Sequence, residues 1–264
     1  MGVKAPLLPV NPPPYFSPSS DSPSAPSYAE DAATHTLPRA VPPIARCNLL
    51  TIRRPYGSVT GSFVIDPELE IPPQMIPALK KDEERKNLLL EVGNKRTIDA
   101  DVWVVDPAPQ SQSQASSSST APLPRTTIEA VGGGTSGGHN SLRLSLHSAG
   151  SRPFSLVVSQ FGTVTLELPR SFSGPLTLHT RNGVGRVQFS QAFESMLTEF
   201  SDCDDMRKCF VGDFRESGFG RGGAEWEGST VEVRALEGKV YIRFVDEPEP
   251  QKVQRSCWSW CFRS

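Results

Sequence analysis

The sequence predicts an all-β protein made of repeated strand, glycine-turn, strand units, arranged as a β-solenoid or a sandwich-like stack, with one inserted short helix and a disordered N-terminal arm. Three observations carry this. Short runs past Ile44 alternate apolar and polar residues with period two, the pattern of half-buried strands. Glycine recurs between such runs, as at Gly57, Gly93, Gly162, Gly183 and Gly238. The prolines crowd into the first 45 residues, where few large apolar side chains offset the entropy of ordering.

The arm spans residues 1–43 and carries Pro-Pro-Pro-Tyr and Ser-Pro repeats that favour polyproline II and coil. The β-repeat domain spans 44–247. Its first strands are Asn48–Ile52, Ser62–Ile65, Leu88–Val92 and Ile98–Val105. A Gln/Ser-rich stretch at about 107–125 then reads as an unstructured insert between strands. Alternation resumes at Thr126–Val131, Leu142–His147, Phe154–Val158, Val164–Leu168, Leu176–Thr180, Val187–Phe189, Val231–Ala235 and Val240–Phe244. The intervening glycines suit positive φ, as hairpin turns or as solenoid corners. Ala192, Phe193, Met196, Leu197 and Phe200 follow one helical face with Ser190 as N-cap, which predicts a helix plugging an open end or face of the sheet. Residues 248–264 form a Cys/Trp-rich C-terminal tail.

A chain of 264 residues, 37% hydrophobic, can bury one real core. The net charge of −2, with no Lys/Arg-rich run, supplies no attraction for a polyanion, so nucleic acid is not an expected partner. The absence of a signal-peptide pattern and of a run of about 20 apolar residues predicts a cytoplasmic protein. Five cysteines at irregular spacing fit reduced thiols better than a disulfide framework.

Arg85–Leu88 leading to Ile98–Trp103, then Val164–Phe172 and Cys209–Phe214, resemble an uncharacterised fungal family, a domain of unknown function, over residues 45–247. The resemblance implies β-repeats similar to those of adhesin-like domains, with degenerate turns at Phe161–Val164 and Glu237–Val240. It implies no activity.

Enzymatic signatures fail on context. Gly132–Gly137 fits G-x-G-x-x-G, but dinucleotide binding needs a helix next, and Leu142–Leu146 alternates as a strand. His35, His139, His147 and His179 lack metal-pair spacing, and Cys203 and Cys209 match no zinc spacing. Asp202, Asp204 and Asp205 lack the glycine and terminal glutamate of a calcium loop and read as a solvated turn. Gly218–Gly223 is a single arginine-glycine copy, too weak to mark an RNA contact. No catalytic, cofactor-binding or metal residue is assigned, and no cofactor is expected.

Two motifs point to partners. Pro12, Pro13, Pro14 and Tyr15 form a P-P-x-Y string, the polyproline ligand that WW domains read, with Ser17-Pro18 and Ser22-Pro23 nearby as phosphorylation sites. Cys257 and Cys261 stand beside Trp258, Trp260 and the basic Lys252, Arg255 and Arg263, a setting for lipidation and peripheral association with a cytosolic membrane face. Cys261 has the C-a-a-X position, although Arg263 stands at an aliphatic place. The alternative for the tail is that both tryptophans fold back to cap an exposed end of the sheet. The expectation is a non-enzymatic interaction scaffold. The alternatives are an enzyme with a site on the β-domain surface, clustering His147, His179 and acidic residues, and an adhesin-like structural protein.

Overall fold

The computed structural model describes residues 40–76, 78–79, 83–106, 124–134, 140–181, 187–221 and 225–248. Pro12–Tyr15, His35, His139, the Asn182–Gly185 turn, most of the Gln/Ser-rich insert, and Cys257 and Cys261 lie outside the described residues. The elements are β1 Arg46–Cys47, β2 Leu50–Arg54, β3 Val59–Ile65, a 3-10 turn Pro73–Met75, β4 Leu88–Val92, β5 Ile98–Val104, β6 Thr126–Gly132, β7 Ser141–Ser148, β8 Phe154–Gln160, β9 Thr163–Leu168 and β10 Gly174–Thr180. They continue with β11 Val187–Phe189, α1 Gln191–Glu194, β12 Leu197–Cys203, β13 Met206–Val211, α2 Phe214–Ser217, β14 Thr230–Ala235 and β15 Val240–Phe244. Mostly β structure is what the alternating runs predict, and the structure divides it into two sheets.

The sheets run β1-β3-β5-β7-β9-β15-β11 and β12-β13-β10-β14-β8-β6-β4-β2. From β2 to β11 successive strands change sheet, and every neighbour is parallel except around β13. Strand pairs therefore stack as rungs, with like positions facing like. Ile52, Leu90, Ala130, Val158, Val233 and Leu178 form one cross-strand row. Ala100, Leu144, Leu166, Ile242 and Phe189 form the matching row in the other sheet. Both rows belong to one apolar cluster, so the core lies between the sheets. The sequence-last rung, β14–β15, does not sit at an end. It lies between β8–β9 and β10–β11, with Val233 and Val240 fully buried.

The glycine turns are not hairpins. Gly57, Gly93, Gly162 and Gly238 each join a strand of the eight-stranded sheet to one of the seven-stranded sheet. Nor is positive φ their reason, since among the described residues the positive-φ glycines are Gly61, Gly212, Gly218 and Gly220. The reason is close approach to the neighbouring rung. A Cβ at Gly93 would lie 2.0 Å from the Pro55 carbonyl oxygen, one at Gly162 1.9 Å from that of Asn140, and one at Gly238 1.9 Å from that of Gly162. Gly57, on the first rung, has only the Arg54 side chain nearby, at 3.6 Å.

The predicted helix is one turn long. Ser190 does cap it, its Oγ accepting from the Phe193 amide at 3.2 Å, and Phe193 is buried against Phe189 and Phe244. Leu197 and Phe200 instead belong to β12. Asp204 and Asp205 both adopt positive φ, 52° and 63°, the two-residue turn whose twist matches an antiparallel hairpin, and β12 pairs with β13 through it. Helical spacing was matched by chance across a strand with a bulge at Phe200. No helix among the described residues is long and apolar enough to cross a membrane.

Alanine at Gly93, Gly162 or Gly238 is expected to destabilise the fold by about 1–3 kcal/mol each through backbone overpacking, whereas Gly57→Ala is expected to stay within about 0.5 kcal/mol of the parent. Urea unfolding of the four variants checks this, and an equal cost at all four positions would refute the rung-contact explanation.

Candidate functional site

Alternation that buries one face of a strand sends the other outward, and parallel register then lines up outward residues in rows, with neighbours in a row about 4.8 Å apart. On the seven-stranded sheet one outward row is Thr60, Asp99, Arg143, Thr165, Tyr241 and Gln188. The next is Ser62, Asp101, Ser145, Glu167 and Arg243. Toward β11 these rows form the floor of an open groove of about 690 Å³, bounded on one side by Ser190, Glu247 and Pro248.

Glu167 organises the floor. It is 3% exposed, and its Oε2 accepts from Ser145 Oγ at 2.7 Å and from Arg143 Nη2 at 3.2 Å. Its Oε1 accepts from Arg243 Nε at 3.1 Å and from Arg243 Nη2. Arg143 also donates to Asp99 at 3.2 Å. Burial by itself pushes the Glu167 carboxyl upward, but the hydrogen bonds from Arg243 and Ser145 and the charges of both arginines outweigh it and hold the group below the ordinary carboxylate range. Glu167 is thus an anion with both oxygens engaged. It fixes the two guanidiniums and has no proton to give near neutrality.

The turn after β15 is tied to the groove edge by three further bonds. Ser190 Oγ donates to Glu247 Oε1 at 2.8 Å, the Phe244 amide donates to the same oxygen at 3.0 Å, and Arg243 Nη1 donates to the Pro248 carbonyl at 3.0 Å.

The histidines weighed as a joint surface site are not brought together. His147 lies on the outer side of the seven-stranded sheet, buried and stacked on Trp103 with ring centroids 4.2 Å apart. His179 lies on the outer side of the other sheet, 3.2 Å from Glu232. Cys209 is buried, which together with the nearby charge of Glu199 pushes its thiol up to about 11, and burial also raises Cys47. Neither is poised as a thiolate. Cys203 is exposed, and Asp202 pairs with Arg207 at 3.3 Å beside the Asp204–Asp205 turn. Gly132 ends β6 and leads to a strand, β7, in the other sheet.

Arg143, Glu167, Tyr241 and Arg243 were not singled out from the sequence. Their signal was present as polar residues inside Leu142-Arg143-Leu144, Leu166-Glu167-Leu168 and Val240-Tyr241-Ile242-Arg243, but nothing local says that β15 lies beside β9.

Residues 48–247 match a domain of unknown function, DUF7330. The chain belongs to the DUF7330 family. No curated protein matches it, and no solved structure matches it. The match covers every strand from β2 to β15, so the groove floor of this DUF7330 chain lies wholly within the family region.

Glu167→Gln removes the charge that both guanidiniums answer and is expected to cost about 3 kcal/mol at pH 7, as for one partner lost from a buried ion pair. The folded-state pKa is depressed, so the contribution is fully present above the unfolded value of about 4.3 and is lost as pH falls through the folded one. The gap between parent and Glu167→Gln in denaturant titrations is therefore expected to shrink below about pH 4. A gap independent of pH would show that Glu167 is not the ionised hub.

Proposed function

We propose that this chain is a non-enzymatic interaction scaffold of the cytoplasm. In this reading the two sheets are the flattened turns of a short β-solenoid that displays a WW-binding arm and a membrane-seeking tail. The observation that carries it is the Glu167 clamp. A groove whose floor carboxylate is ionised and bonded on both oxygens, with two guanidiniums fixed around it, is a preorganised binding surface rather than an acid–base centre.

Pro12, Pro13, Pro14 and Tyr15 supply a ligand for a WW-domain protein, the prolines presetting the helix and the tyrosine entering an aromatic-lined groove. Lipidation of Cys257 and Cys261 holds the tail at the cytosolic face of a membrane, with Trp258 and Trp260 in the interface and three basic residues facing anionic lipid. A second reading, an adhesin-like structural role in a fungal setting, is favoured by the parallel rungs with glycine corners. Secretion of the intact chain would decide for that second reading.

Titration of the full chain with an isolated PPxY-reading WW domain is expected to give saturable binding that Tyr15→Ala weakens at least tenfold. Fractionated cells are expected to hold the parent with membranes and to release a Cys257→Ser/Cys261→Ser variant. Equal WW binding by parent and Tyr15→Ala removes the arm from the proposal, and parent protein staying soluble removes the anchor.

A further inference from the structure

The groove on the seven-stranded sheet is open at the place where residues 249–264 depart. Pro248 forms part of its lining, and the Arg243 guanidinium that reaches Glu167 also holds the Pro248 carbonyl. Asp246 is fixed as well, its Oδ2 accepting from Arg170 Nε at 2.8 Å. The chain is thereby delivered to the groove edge by a turn anchored at three successive residues, Asp246, Glu247 and Pro248. We propose that the groove is the docking site of this chain's own tail, with the indoles of Trp258 and Trp260 lying over Tyr241 and Gln188.

Reach, volume and surface chemistry agree. Trp258 follows Pro248 by ten residues, an extended reach of roughly 33–36 Å, so a return over the groove needs no full extension. A cavity of about 690 Å³ is of the size that encloses compact aromatic ligands. Its lining combines Tyr241, Phe189 and Pro248 with the planar groups of Gln188 and Arg143, the mixture on which indoles stack. The charged groups of the lining, Glu167 and Glu247 with Arg143 and Arg243, balance, so docking rests on the aromatic and planar surface rather than on net charge. Docking in the groove and insertion in a membrane interface are alternative placements of the same indoles, so the test uses the unacylated chain.

The natural Cys257 and Cys261 flank the indoles and serve as reporters. In the full chain carrying Cys203→Ser, which keeps Cys47 and Cys209 beside the two reporters, and purified without acylation as verified by mass, a further cysteine is placed by Gln188→Cys on the groove floor or by Thr177→Cys on the outer side of the other sheet. Thr165→Cys, also on the floor, guards against a local defect at position 188. In a glutathione redox buffer, intrachain disulfide to Cys257 or Cys261, read by peptide mass mapping, is expected to form at least tenfold faster from positions 188 and 165 than from 177. Trp258→Ala/Trp260→Ala is expected to abolish that preference while leaving the slow background due to tethering. Equal rates from all three positions would overturn the proposal, as would a preference that survives loss of both tryptophans. A disulfide found only between two chains would also overturn it, assigning the groove to a second copy.

Discussion

The insertion of β14–β15 between β8–β9 and β10–β11 is the constraint on which the rest depends. The β14 strand pairs on one side with β8 and on the other with β10, while β15 does the same between β9 and β11. Without that rung, β8 and β10 would face each other across an unfilled strand position, with buried amides and carbonyls lacking partners. Val231, Val233, Val240 and Ile242 complete the apolar rows between the sheets, so one element supplies both hydrogen bonds and core continuity. The pairing of β15 with β9 is also long-range. Arg243 and Glu167, bonded in the structure, stand 76 positions apart, and contacts of that separation form only after most loop-closure entropy has been lost.

The same insertion builds the groove. Tyr241 and Arg243 reach its floor only because β15 lies between β9 and β11, and Gln188 joins them because β11 pairs on the far side of β15. An unpaired buried Glu167 would be driven toward protonation. Three donor side chains and two positive charges reverse that, and the carboxylate in turn keeps both guanidiniums from swinging into solvent. Rigidity at the floor thus follows from electrostatics in a poorly solvated setting, and the anchored turn at Asp246, Glu247 and Pro248 extends it to the rim.

Period-two alternation alone located most of the strands, since a half-buried strand must alternate wherever it lies in the sheet. Leu88–Val92 and Val187–Phe189 match the structure residue for residue. It missed β12 and β13, where Leu197-Thr198-Glu199-Phe200 satisfies helical spacing and only the hairpin at Asp204 and Asp205 decides otherwise. Glycine marked the right turns for the wrong reason. Gly93 and Gly162 are needed because a neighbouring rung's carbonyl occupies the space of a Cβ, a contact that exists only once the rungs have stacked.

Local patterning settles which residues alternate and where turns interrupt them, and hence that the chain is mostly β with one apolar face per strand. It also placed Ser190 at a helix start, because a cap acts within one turn of chain. Strand order, and with it the Glu167 clamp and the groove, emerges from the folded arrangement alone. Strand identity is a local property of alternating side chains, whereas strand order is fixed by pairings between residues far apart in the chain, as for β9 with β15, and no short window of sequence contains those.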